Sequence, residues 1–336
     1  MAVASGDGVE KLEDMIVRSA EMTSTHIAAA KTAIGAVIFG QDIVVERALI
    51  TVLSGGHALL VGVPGLAKTK LVDTMGTALG LDARRVQFTP DLMPSDILGT
   101  EVLEESPGGK RSFRFIAGPV FAQLLMADEI NRASPRTQSA LLQAMQEQHV
   151  TVAGARHDLP KPFHVLATQN PLEQEGTYPL PEAQLDRFLM EVDVDYPDLE
   201  AERKILFDTT GAEGSRPKAA MTSEDLLSAQ RLVRRLPVGE SVVAAILALV
   251  RSARPGPEAG EFSKLISWGP GPRASQALML AVRARALLDG RFAPSVDDVL
   301  ELAEPVLKHR MALTFAARAE GETIPNVIRR LKARIG

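Results

Sequence analysis

The sequence predicts an α/β protein: a parallel five-stranded sheet flanked by helices, followed by a smaller all-helical domain. Three observations predict it. Between residue 58 and about 195, short apolar runs alternate with helical segments, the pattern of strands joined by helical crossovers. Residues 58–73 pass from a buried-strand run (Ala58 to Val61) through a Gly/Pro loop into a helix-like segment. From 222 to 334 the chain reads almost wholly as helices, punctuated by Pro237-Val-Gly239, Arg254-Pro-Gly-Pro257 and Gly269-Pro-Gly-Pro272.

Residues 10–35 have helical composition and predict a leading helix. Gly40-Gln41 breaks it before a second helix, Asp42 to Ser54. Strands are expected at Ala58–Val61, Arg85–Phe88, Leu124–Ala127, Phe163–Ala167 and Phe188–Val194. Two stretches interrupt the rhythm. Glu101 to Phe115, with a central Pro-Gly-Gly turn, and His149 to Pro160, with Gly154 inside, read as inserted hairpins. Tyr196-Pro197-Asp198 closes the α/β region. The expected division is 1–209 for the core with its leading helix, 210–221 for a linker, and 222–336 for the helical domain.

With 336 residues the chain can bury two cores, and 46% apolar with 24% charged residues is an ordinary globular balance. A net charge of −5 argues against a dedicated nucleic-acid surface. Arg231, Arg234 and Arg235 have the spacing of a solvated helix face. There is no cysteine, which excludes disulfides, thiolate catalysis and cysteine-based metal sites. The first eight residues show no signal-peptide pattern, and the longest apolar run, Val242 to Val250, is far short of the roughly 20 residues a membrane span needs. A cytoplasmic protein is expected.

The loop after the first strand has the composition of a phosphate cradle. Its glycines let backbone N–H groups close on phosphate oxygens, and the following helix adds the positive end of its dipole. Lys68 would reach the β- and γ-phosphates, and the Thr69 hydroxyl would ligate Mg²⁺. The candidate nucleotide-binding residues are Gly62, Val63, Pro64, Gly65, Leu66, Ala67, Lys68, Thr69 and Lys70. Ala67 departs from the pattern G-x-x-x-x-G-K-[ST], which has glycine there. Alone, the stretch would also suit a strand–turn–helix joint with a solvated lysine.

Downstream, Leu124-Leu-Met-Ala-Asp128-Glu129 is an apolar strand ending in two acids. At the carboxyl end of a parallel strand such acids border the crevice where ligands sit. Asp128 would hold Mg²⁺, and Glu129 would orient and deprotonate an attacking water.

With Asp128-Glu-Ile-Asn-Arg132, Ala167-Thr-Gln-Asn-Pro171, the run Glu-Gly-Thr-Tyr-Pro-Leu-Pro-Glu-Ala-Gln-Leu-Asp-Arg-Phe at 175–188, and the Gly62–Thr69 loop, the chain resembles the MoxR family of AAA+ ATPases from about 35 to 310. The resemblance implies a P-loop AAA+ core with a helical lid, and it makes Ala67 a family feature. It implies that Asn170 is sensor 1, helping to place the lytic water, although Asn170 also suits an Asx turn before Pro171. Arg187 matches the arginine finger that enters a neighbouring subunit's site; a salt bridge to Asp186 is its plainer role. Arg273 matches sensor 2, acting in cis or in trans, with Arg283 and Arg285 as competing candidates. Gln41, with Gly40, matches the segment that packs against adenine, or serves as a helix N-cap.

The resemblance also implies ATP and Mg²⁺ as cofactors, a hexameric ring, a protein client, and a separate von Willebrand factor A domain partner, since no Asp-x-Ser-x-Ser motif occurs here. Both hairpins would be partner-contact elements, with Phe113 and Phe115 as anchors or as packing for the hairpin base. Thr89-Pro-Asp-Leu-Met-Pro-Ser-Asp96 lacks the aromatic–hydrophobic–glycine pore loop of threading unfoldases, which argues against a processive unfoldase. A nucleotide switch without turnover, a DNA-associated ring motor and a magnesium-chelatase subunit are the alternatives. His149 and His157 lack ligand-spaced acids, so no metal is expected there. Trp268 is expected to pack the base of the lid.

Overall fold

The computed structural model describes residues 6–105, 111–173, 176–211 and 215–335, with side chains from Ala20 onward. The start of the chain (1–5), the Pro107-Gly-Gly turn, Glu175 of the long motif and linker residues 212–214 lie outside the described residues.

In chain order the first elements are α1 (Gly6–Gly35), α2 (Asp42–Leu53), β1 (Ala58–Val61), α3 (Lys68–Leu79), β2 (Ala83–Gln87) and α4 (Pro94–Leu98). A hairpin follows, β3 (Gly99–Glu105) with β4 (Arg111–Ala117), then β5 (Leu124–Asp128) and α5 (Pro135–Glu147). A second hairpin, β6 (His149–Val152) with β7 (Ala155–Asp158), precedes β8 (His164–Gln169), α6 (Glu182–Leu185), β9 (Met190–Asp193) and α7 (Leu199–Thr210). The rest comprises α8 (Ser223–Arg235), α9 (Glu240–Ser252), β10 (Ile266–Trp268), α10 (Pro272–Leu288), α11 (Val296–Leu307), β11 (Ala312–Leu313), α12 (Phe315–Ala319) and α13 (Ile324–Lys332).

The five-stranded sheet is parallel throughout, in the order β2-β5-β8-β1-β9. Its central strands need no alternation because both faces are covered: every residue of β5, and all but the last of β8, is buried. One apolar cluster fills the side of α1, α2 and α3 and runs unbroken into the last helices; a second lies under α4, α5 and the second hairpin. Helix ends follow local chemistry. Ser134 caps α5 ahead of Pro135, and Thr222–Asp225 and Ser295–Asp298 form capping boxes on α8 and α11.

Two expectations need adjusting. β2 starts at Ala83 and ends at Gln87, although the Phe88 amide still donates to the Asp128 carbonyl at 2.8 Å, so pairing runs one residue past the strand. The lid is helical apart from a ribbon: β10 and β11 pair antiparallel, Ile266 opposite Leu313 and Trp268 opposite Ala312. Strands of two or three residues are too short to leave a period in the sequence.

Candidate nucleotide site and its distant arginines

The loop Gly62–Ala67 leaves the carboxyl end of β1 and enters α3. Gly62 has no room for a side chain, since a Cβ would sit 2.4 Å from the Val194 carbonyl oxygen; its amide donates to Gln169 O at 3.1 Å. Gly65 takes φ +86°. Ala67, the residue in the glycine position, takes φ 56° and ψ 20°, a left-handed conformation that costs an L-residue roughly 1–2 kcal/mol. The loop keeps the glycine backbone without the glycine.

Lys68 Nζ donates to the Gly62 carbonyl across the loop. Burial lowers its pKa from the ordinary lysine value, opposed by the nearby carboxylates of Asp128, Glu129 and Glu173. Residues 64–70 share one cleft of about 440 Å³ with Arg85, Gln87, Asp128, Glu129 and Asn170. The donor set fits a magnesium–nucleotide: an ammonium whose only hydrogen-bond partner among the described residues is a carbonyl, the Thr69 hydroxyl and a buried carboxylate. Lys70 also borders the cleft, but its ammonium lies 3.6 Å from Asp208 on α7.

Asp128 closes β5 and is 8% exposed. Its Oδ1 accepts from the Thr168 hydroxyl at 2.5 Å, and Oδ2 accepts from both Nε (3.2 Å) and Nη2 (2.6 Å) of Arg85. Glu129 takes a left-handed φ of 55°, and its amide donates to Thr168 Oγ1 at 2.9 Å. One buried hydroxyl therefore bridges the two acids. Glu129 Oε2 accepts from Gln87 at 2.6 Å and from Arg132 at 3.0 Å. Arg85, Gln87, Arg132 and Thr168 carry no motif that marks them for these contacts, although Arg132 and Thr168 lie inside recognisable ones.

Asn170 follows β8, lies 4% exposed on the cleft, and accepts the Leu172 amide at 3.1 Å, so it makes the Asx turn while facing the site. Gln41 is not a side-chain cap: its Nε2 donates to Asp195 O at 2.7 Å, tying the start of α2 to the segment after β9. Gly40 lies against Pro197 and Ala201 in the same contact.

Arg187 and Arg273 are elsewhere. They share a second cleft with Gly55, Gly56 and His57, the residues that lead into β1, together with Asp186 and Arg310. Met190 pairs with Ala58 at the start of both strands, so Arg187 sits at the amino ends and Lys68 beyond the carboxyl ends. Strand β1 alone puts roughly 10 Å of rise between the two sites. Asp186 pairs with Arg310 at 2.7 Å and approaches Arg273 at 3.8 Å, while Arg187 has no ion pair among the described residues. Arg283 donates to the Arg234 carbonyl and Arg285 lies 3.6 Å from both Glu46 and Asp298, so of these three lid arginines Arg273 is the one that lines this cleft.

Of the hairpin aromatics, Phe113 is 70% exposed. Phe115 packs edge-on to Phe121 and stacks on His157 at 3.8 Å, joining the two hairpins. His149 contacts Glu147.

A P-loop after β1, paired acids at the same sheet edge on β5, one strand removed, and a trailing lid define an ATPase of the AAA+ class. The model of the ATPase family associated with various cellular activities matches residues 57–190, and that of the AAA lid domain matches 261–331. Chaperone MoxR1 of Mycobacterium tuberculosis is 43% identical over 87% of this chain and 77% of its own length. Protein MoxR of Paracoccus denitrificans is 32% identical over 88% and 91%. The crystal structure of a protein assigned as an ATPase from Cytophaga hutchinsonii superposes with a TM-score of 0.88 at 35% identity, covering 98% of this chain and 99% of that one. The chain belongs to the MoxR family of AAA+ ATPases. Among the described residues no helix is long and apolar enough to cross a membrane.

Proposed function

We propose that the protein hydrolyses ATP at interfaces between its own copies, in a ring that the family resemblance makes hexameric, and couples turnover to remodelling or activating a client protein. The supporting observation is the division of the site between the two ends of the sheet. Lys68, Thr69, Asp128, Glu129 and Asn170 gather at the carboxyl ends, whereas Arg187 and Arg273 gather at the amino ends. On this reading both arginines act in trans.

Lys68 and the loop amides would hold the β- and γ-phosphates. Thr69 and Asp128 would hold Mg²⁺, with Arg85 and Thr168 fixing the Asp128 carboxylate. Bound Mg²⁺ supplies charge neutralisation across the phosphate oxygens. Glu129 would accept a proton from the attacking water, while Gln87 and Arg132 both donate to its Oε2 and hold the carboxylate in place, and Asn170 would orient that water. Arg187 of a neighbouring copy would offset charge developing on the γ-phosphate.

Phosphate release by wild type, Lys68→Ala and Glu129→Gln tests the reading; equal turnover in all three sinks it. The held state of Glu129 also favours a second reading, an ATP-assembled switch, which predicts nucleotide binding and assembly without phosphate release. The family resemblance extends the proposal to a cytoplasmic setting and to a separate von Willebrand factor A domain protein as adaptor.

A further inference from the structure

Arg310 is 2% exposed, and it belongs to the lid, three residues beyond the end of α11. A guanidinium can be buried only where its donors are met. Here they are met at one place. Nε donates to Asp186 Oδ1 at 2.7 Å, Nη1 to Leu189 O at 3.2 Å, and Nη2 to Phe188 O at 2.7 Å and Asp186 O at 3.3 Å. A further Nη1 contact returns to Val306 O near the end of α11. Four of the five contacts therefore fall on residues 186–189 and bracket Arg187 on both sides. The neighbours of Arg310 extend the grip: His309 Nε2 lies 3.1 Å from Phe188 O, and Lys308 lies 3.3 Å from the Glu191 carboxylate on β9.

The Asp186 contact has a second consequence. An acid adjoining an arginine is its readiest partner, and a paired Arg187 would reach a neighbouring site already neutralised. Arg310 takes Oδ1, and Oδ2 faces Arg273. Arg187 is left unpaired among the described residues.

We infer that Arg310 is a positioning residue for Arg187: from the lid, it fixes the backbone on either side of that arginine and withholds Asp186 from it. The inference rests on the reading that Arg187 completes a neighbouring copy's site. It makes the lid the element that sets whether the interface is competent.

A defect in presenting Arg187 belongs to the donor face of a copy and leaves its own nucleotide cleft intact. Subunit mixing reads this directly. R310K keeps the charge and loses the planar fork, and D186N keeps the shape of the acid. Each is expected to lower kcat by about tenfold or more while the KM for ATP moves by less than about twofold. E129Q is defective in its cleft but presents a normal Arg187. Mixing R310K with E129Q should therefore give more turnover than the sum of the two alone, because R310K clefts now receive a well-held arginine. Mixing R310K with R187A should give no gain, since both lack the donor face.

Wild-type kcat in R310K and D186N overturns the inference. So does the absence of a gain with E129Q when R187A plus E129Q does gain, and so does loss of the folded state by thermal melting in both variants, which would make the contact purely structural. If R187A itself keeps wild-type turnover, or R187A plus E129Q shows no gain, the trans reading of Arg187 has failed instead.

Discussion

Thr168→Val separates the two jobs of a residue that carries no catalytic chemistry of its own. Valine matches threonine in shape, and the site is fully buried, so neither packing nor exposure changes much. Two hydrogen bonds are lost. The Glu129 amide is left unpaired in a half-buried position, which costs roughly 1–3 kcal/mol, and the Asp128 carboxylate loses one charge-assisted donor while keeping Arg85. Together these amount to about 3 kcal/mol of stability. Glu129 also loses the bond that helps hold its left-handed backbone, a conformation unfavourable by roughly 1–2 kcal/mol. A shift of about 1 Å in a positioned group can cost on the order of a hundredfold in rate. Denaturant midpoints should fall for Thr168→Val and stay near wild type for Thr168→Ser, which keeps the hydroxyl. Phosphate release should fall in parallel in the valine variant. A valine variant as stable as wild type and equally active would refute the bridging role.

Gly62→Ala would set a Cβ 2.4 Å from the Val194 carbonyl oxygen, so denaturant unfolding should show a loss of about 1–3 kcal/mol as β1 and β9 are pushed apart. Arg187→Ala should cut phosphate release by about a thousandfold with ATP affinity kept, as fluorescent-nucleotide titration would check. His57 and His164 are buried, and desolvation lowers their pKa values to about 3 and about 4. The folded state therefore resists protons that the unfolded chain takes up near pH 6.5, so their contribution is present above that pH and is lost as pH falls toward the folded values. Each should cost about 2 kcal/mol by pH 5 relative to pH 7.5, and flat stability across that range would contradict the buried neutral assignment.

Legibility in the sequence followed distance along the chain. The P-loop and Asp128-Glu129 are contiguous, so residue type and order alone reveal them, and the two hairpins announce themselves by turns within a dozen residues. Thr168 sits inside a recognisable motif, yet its work depends on β5 and β8 being neighbours, and no local pattern states that order. Arg310 and Asp186 are 124 residues apart, and a lone arginine after an apolar helix looks like any helix end. Arg273 matches sensor 2 by resemblance, with Arg283 and Arg285 near enough in the sequence to compete. The latter two are engaged by partners on other elements, the Arg234 carbonyl for one and Glu46 and Asp298 for the other, which only the packed lid identifies.

On the proposed reading, the parallel sheet explains why the site is divided at all. Every strand delivers its carboxyl end to one edge and its amino end to the other, so a loop after β1 and a segment before β9 cannot meet within one chain. The phosphate cradle and acids need carboxyl ends, where loops leave toward helices and the first turn of α3 offers its amides. An arginine before β9 is thereby committed to the far edge, beside the lid. The group holding the backbone on either side of it is Arg310 from the lid. If Arg187 completes a neighbouring copy's site, as proposed, a change in lid position acts first on the next copy's chemistry and only indirectly on its own.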